Sequence, residues 1–192
     1  MKKLLVVVMA LLLASPVMAG EIFLSYQGTG QMPEDDNFGY GKGFFGQAVE
    51  LGYSWKYVAI GTEYYVYKPV TLWGSNFLDN SILSTIKIQY PLPWGITPYG
   101  VVGVGTHIYT NKDFKTDPHQ PASPWNTPET LTRTFGLGMK YGGGVEYRVK
   151  DFAIFGEVAY RYGDTGSRRG QPWTSSMAVY GWSYGGGVRW YF

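Results

Sequence analysis

The run AVYGWSYGGGVRWYF, residues 178–192, separates into two chemically different sets when every second position is taken. Phe192, Trp190, Val188, Gly186, Tyr184, Trp182, Tyr180 and Ala178 form one set, apolar and aromatic. Tyr191, Arg189, Gly187, Gly185, Ser183 and Gly181 form the other, mostly small or polar. A repeat of two is the side-chain period of a β-strand. The strand is long for a soluble sheet but close to what a tilted membrane strand needs.

The same alternation recurs upstream. Phe152, Ile154, Val158, Tyr160 and Tyr162 oppose Ala153, Glu157, Ala159 and Arg161. Phe135, Leu137, Met139, Tyr141, Val145 and Tyr147 oppose a face of glycines with Lys140, Glu146 and Arg148. Ile82, Ile86, Ile88 and Tyr90 oppose Leu83, Thr85, Lys87 and Gln89; Val58, Ile60, Tyr64 and Val66 oppose Ala59, Gly61, Glu63 and Tyr65. Phe45, Val49, Leu51 and Tyr53 oppose Gly46, Ala48, Glu50 and Gly52; Ile22, Leu24 and Tyr26 oppose Phe23, Ser25 and Gln27. Between Tyr99 and Tyr109 valine takes both parities, so the faces there stay open.

Eight strands are expected, at 21–28, 43–54, 57–67, 81–90, 97–109, 134–148, 152–162 and 177–192. Connections 55–56, 91–96 and 149–151 are short, whereas 29–42, 68–80, 110–133 and 163–176 are long. Short turns at one end and long loops at the other suit an up-and-down membrane barrel. Prolines fall in loops and turns, with Pro98 expected at a strand start, where a missing N–H breaks no ladder. The uncharged stretches Ile88–Asn111 and Gly170–Val188 carry Pro91, Pro93, Pro98 and Gly185–Gly187, which argues against spanning helices.

Composition agrees. The chain has 192 residues, of which 16% are charged, 18% are aromatic and 27 are glycine. Ordinary soluble domains carry about 25% charge. Abundant aromatics argue against disorder, so much glycine and tyrosine argues against a helical bundle, and the lack of cysteine excludes a disulfide scaffold. Met1-Lys2-Lys3, the apolar run Leu4–Ala14 and the small residues before Gly20 read as a secretory signal peptide over 1–19, leaving a barrel domain over 20–192. Of the 16 basic residues, Lys2 and Lys3 leave with the signal; 14 then balance the 14 acids, and a basic nucleic-acid binder is disfavoured. A soluble barrel would turn its apolar face inward. Here the charged face is rich in glycine and the apolar face in large rings, which is the polarity of a barrel in lipid.

The closing run from Tyr180 to Phe192 resembles the last strand of bacterial outer-membrane proteins. With Thr97–Gly105 and Tyr141–Tyr147, the chain resembles the eight-stranded outer-membrane β-barrel superfamily, which includes the OmpA transmembrane domain, OmpX and opacity-type proteins. The resemblance implies an all-β, eight-stranded antiparallel up-and-down transmembrane barrel in the bacterial outer membrane. It implies an assembly signal at Tyr184, Val188, Trp190 and Phe192, read by the barrel-assembly machinery. It differs from full-length OmpA in that no peptidoglycan-binding domain is expected after Phe192.

Nine charges fall on the inner face. Glu50, Glu63, Lys87, Lys140, Glu146, Glu157, Arg161 and Arg189 are expected to form a lumen ion-pair network, with Arg148 as the ninth. Glu50 is expected diagonally near Glu63, with Lys87 as a counter-ion and Arg189 reaching across. An eight-stranded lumen is only wide enough for side chains, so these charges must pair.

No catalytic, cofactor or metal site is expected. His107, near the loop end of a strand, and His119, in the long loop, lack the His-x-Ser-Asn pattern of outer-membrane lipid A deacylases. Glu34-Asp35-Asp36 lacks the ligand spacing of a calcium loop. Arg168 and Arg169 are candidate contacts to lipopolysaccharide phosphates. Pro118, Pro121, Pro124 and Pro128, with Trp125, describe an extended, semi-rigid outer segment. The expectation is a non-enzymatic, monomeric outer-membrane barrel with a plugged polar lumen and a structural or surface-interaction role. Its expected partners are membrane lipid, lipopolysaccharide, the assembly machinery and a surface ligand of the loops. A narrow porin-like channel or a transporter of small apolar molecules is the alternative, and a lipid A-modifying enzyme is the third.

Overall fold

The computed structural model describes residues 20–33, 44–67, 70–72, 75–112, 132–164 and 178–192. Alternating β-branched and aromatic residues form the strands β1 (Glu21–Pro33), β2 (Phe44–Ser54), β3 (Val58–Tyr67), a short β4 (Val70–Leu72) and β5 (Ser75–Gln89). The strands β6 (Ile96–Lys112), β7 (Thr132–Val149), β8 (Phe152–Asp164) and β9 (Ala178–Tyr191) follow. Each barrel strand pairs antiparallel with its chain neighbour. The β1–β9 and β3–β5 ladders complete the ring, while β4 pairs with β5 as a small hairpin outside it. Eight strands thus close an up-and-down barrel without a free edge, which satisfies backbone groups that lipid cannot.

The registers fix every parity. Ile22, Leu24, Ile60, Ile86, Val102, Val145, Ile154 and Trp190 point outward and are exposed. Ser25, Glu50, Glu63, Lys87, Lys140, Glu157 and Arg189 point inward and are buried. An exposed belt of this size with a charged interior is the inverse of a soluble protein. The open faces of β6 are resolved: Tyr99, Val101 and His107 face the lumen, while Val102 and Val104 face out.

Two expectations are corrected. Strands β1, β5 and β6 run farther toward the loop end than expected, because polar residues there can extend the ladder where the chain leaves the apolar belt. Pro98 is the third residue of β6, paired with Val145, and Pro33 is the last residue of β1. Pro98 still serves the ladder through its carbonyl, which accepts the Tyr90 N–H at 3.0 Å. The rings Phe23, Tyr65 and Tyr191 are buried in the lumen as their parity requires, and Tyr99 and Phe155 join them. Inner-face glycines make the room. A Cβ on Gly144 would lie 2.6 Å from the Tyr99 ring, and one on Gly187 would lie 2.8 Å from Phe155.

The three short turns lie at one end. Trp55-Lys56-Tyr57 is closed by the Trp55 N–H donating to the Val58 carbonyl at 2.7 Å. In the β5–β6 turn, Leu92 donates to the Ile96 carbonyl at 2.7 Å, and Trp94 (φ 69°) and Gly95 (φ 81°) take the left-handed backbone that the reversal requires. Lys150 (φ 57°) and Asp151 join β7 to β8. Residues 1–19, expected to be a signal peptide, Glu34–Asp36, His119, Pro118, Pro121, Pro124, Pro128, Arg168 and Arg169 lie outside the described residues.

Candidate functional site

The register sets like charges side by side. Glu50 is directly opposite Glu63 on β2 and β3, and Lys140 is directly opposite Arg161 on β7 and β8. Glu50 and Glu63 are therefore in register, not diagonal as expected, because the chain reverses at Lys56-Tyr57, with Trp55 bonded to Val58, rather than at Trp55-Lys56, which moves the register by two. Like charges opposite one another destabilise a ladder. Relief comes from across the lumen.

Two groups of charges result, each with two acids and two bases. In the group nearer the turns, the Lys87 ammonium lies 2.5 Å from the Glu50 carboxylate, and Thr85 donates to Glu50 at 2.7 Å. Arg189 approaches Glu50 at 3.6 Å and pairs with Glu146, whose second oxygen accepts the Tyr191 hydroxyl at 2.5 Å. The Arg189 guanidinium also lies 4.7 Å from the Phe23 ring centre and 4.9 Å from that of Phe155.

In the second group, Glu63 receives Lys140 at 2.5 Å and Arg161 at 2.6 Å, one on each oxygen. Lys140 also reaches Glu157 at 2.6 Å, and the Tyr99 hydroxyl donates to Glu157 at 3.3 Å. Arg161 stacks on Tyr65 at 3.9 Å and donates to Ser183 at 3.3 Å. All eight residues expected in the network are thus in it, and all are buried.

Arg148 stands apart. It forms a bidentate pair with Glu21, at 2.6 and 2.8 Å, across the turn-side mouth, with its guanidinium 3.9 Å from the Tyr191 ring centre. Sequence reasoning did not name Glu21, Thr85, Tyr99 or Tyr191 as partners. Parity places Glu21 inward with Phe23 and Ser25; nothing local shows that Tyr99 meets Glu157.

His107 lies in the lumen beyond the second group, in register with Ser81. A cavity of about 20 Å³ adjoins it, lined also by Gln31, Tyr67 and Arg161. That volume holds about one water and no acyl chain.

The tightness of this interior gives a prediction. Gly144→Val sets its Cβ against the Gly156 carbonyl oxygen as well as against the Tyr99 ring, so it should strain the β7–β8 ladder, push Tyr99 from Glu157 and cost about 1–3 kcal/mol or more. Urea unfolding in lipid vesicles measures it, and a second change, Tyr99→Ala, should recover part of the loss. An unshifted midpoint for Gly144→Val would contradict the packing.

No protein-family model matches the chain, and no curated protein matches it in sequence. Solved structures do. Neisserial surface protein A superposes with a TM-score of 0.62 at 13% identity, covering 90% of this chain and 97% of that one. The fold is that of the eight-stranded outer-membrane β-barrels. The outer-membrane protein OprG from Pseudomonas aeruginosa matches with a TM-score of 0.52 at 15% identity, covering 91% of this chain and 97% of that one. Ail, the attachment invasion locus protein of Yersinia pestis, matches with a TM-score of 0.50 at 13% identity, covering 90% of this chain and 97% of its own. In this chain the exposed apolar belt lies on the outside of the cylinder, the polarity that a barrel in a bilayer requires.

Proposed function

We propose that this chain is a non-enzymatic integral barrel of the bacterial outer membrane, exported by a signal over residues 1–19, with a sealed lumen and a surface-interaction role carried by its long connections. The observation that carries the reading is the pair of charge-balanced groups filling the lumen. An ion crossing the barrel must separate buried partners, and each uncompensated charge costs several kcal/mol. The strand ends that the long connections join, β1 to β2, β6 to β7 and β8 to β9, lie at the end opposite the tight turns, where outer-membrane barrels face the exterior. Ail, of the same fold, is an attachment invasion protein solved with a heparin analogue, which favours surface attachment as the kind of work such loops do. Against an enzyme stands the setting of His107, the described histidine: it faces a space of about 20 Å³ inside the barrel rather than lipid.

In this reading Tyr184, Val188, Trp190 and Phe192 are the assembly signal, Arg168 and Arg169 hold lipopolysaccharide phosphates, and the barrel works as a monomer without a cofactor. Planar-bilayer recording tests the sealed lumen: the purified protein should insert without current steps. Stable, defined steps would instead support the channel reading. Attachment of cells bearing the intact protein to immobilised sulfated glycan should fall when residues 113–131 are deleted. Equal attachment would count against the role of that loop. Lipid A from the same cells should keep its acyl composition; an altered composition would support the enzyme reading.

A further inference from the structure

We propose that the turn-side mouth of the barrel is a binding site for a small organic oxyanion, a carboxylate or phosphate carried on an apolar group. The site is an open vestibule of about 360 Å³, within the size range of small-molecule sites. It is bounded inward by the Glu146–Arg189–Tyr191 cluster, so a ligand entering it is held rather than passed.

The charge in the vestibule is not balanced. Lys56 in the β2–β3 turn and Lys150 in the β7–β8 turn both line it. Four strands separate those turns around an eight-strand ring, so the two lysines stand on opposite sides of the mouth. The acids nearby are already engaged. Both Glu146 oxygens are taken, by Arg189 and Tyr191, and both Glu21 oxygens are taken by Arg148. Asp151, beside Lys150, is exposed, and neither its side chain nor the Phe192 carboxylate lines the vestibule. The Lys56 ammonium lies 5.1 Å from the Tyr57 ring centre, a contact that leaves its charge uncompensated, and among the described residues no acid lining the vestibule is free to pair with Lys56 or Lys150.

The remaining walls define the rest of the ligand. Trp55, Pro91 and Leu92 supply apolar surface, and Thr97 supplies a hydroxyl. The frame is also held in shape before any ligand arrives. Gln89 donates to Ser54 at 2.9 Å and to the Trp55 carbonyl at 2.7 Å, tying two turns together. Arg148 donates to the Lys150 carbonyl at 2.7 Å, which fixes the turn that carries that lysine. Low-dielectric walls around one sign of charge concentrate the field on an entering anion, and a preformed frame lowers the ordering cost of binding.

Isothermal titration of the folded barrel in octyl glucoside micelles tests the proposal. Benzoate and butyl phosphate are the probes, with benzyl alcohol as the neutral control. Either anion should bind saturably, benzyl alcohol should not, and added salt should weaken the binding. The double variant K56E/K150E should bind about tenfold or more weakly, whereas K56R/K150R should retain affinity. Both lysines lie in exposed turns, and heat-shifted gel mobility checks that the variants fold. Failure of both anions to bind, equal affinity in wild type and K56E/K150E, or benzyl alcohol binding as tightly as benzoate would overturn the proposal. None of these outcomes depends on whether the outer loops attach to a surface.

Discussion

Replacing Glu63 by alanine should lower the unfolding free energy of the barrel by about 3–5 kcal/mol. Each oxygen of this carboxylate holds a different cation, Lys140 at 2.5 Å and Arg161 at 2.6 Å, and all three groups are buried. Removing it leaves two cations side by side in the register, with Glu157 as the one acid left in that group. The loss comes from stranding charge more than from deleting a favourable contact. Two comparisons separate these. Glu157→Ala should cost less, because Lys140 keeps Glu63. The triple change Glu63→Leu, Lys140→Met, Arg161→Met should recover most of the loss, since apolar replacement of a whole buried ionic cluster is often neutral or stabilising. Urea titration in lipid vesicles, followed by tryptophan emission and gel mobility, measures all three. An unaltered midpoint for Glu63→Ala would contradict the sealed lumen.

Arginine in place of Val102 should cost about 2–4 kcal/mol when the barrel is folded into a bilayer. Val102 points outward, in register with Ile86 and Tyr141, about midway along the apolar belt of β6 and β7. A guanidinium there meets hydrocarbon on every side. The same change at Val149, exposed beside the β7–β8 turn, should cost about 0–1 kcal/mol, since the interface hydrates it. The contrast between the two positions is the signature of a membrane-facing surface. On a soluble barrel both exposed valines would accept arginine with little change. Folding yield and urea midpoint in vesicles distinguish the cases, and equal tolerance at both sites would remove the assignment of this surface to lipid.

Much of this architecture is visible in the linear pattern. Strands β2, β3, β7, β8 and β9 lie within two residues of their expected ends, because each is a clean alternation. The β6 faces are not visible, because Val101, Val102 and Val104 have the same chemistry on both parities and only pairing with neighbours chooses between them. The loop-end extensions of β1, β5 and β6 are hidden for another reason: beyond the apolar belt nothing demands an apolar outer residue, so the ladder continues without its compositional signal.

The candidate site divides in the same way. That Glu50, Glu63, Lys87, Lys140, Glu146, Glu157, Arg161 and Arg189 share one face follows from counting by twos, since parity is a local property of an extended chain. Which acid meets which base does not follow. Adjacent strands bring Glu50 to Glu63 and Lys140 to Arg161, pairings that taken alone would oppose folding. The compensating partners stand on strands across the ring, such as Arg161 on β8 and Glu63 on β3, four positions away around the barrel. Their meeting depends on the barrel's radius and on strand stagger, and both are set only when the last ladder closes. The chain alone therefore determined an inverted, eight-stranded cylinder with a charged inner surface. Closure in three dimensions decided that those charges cancel in two groups.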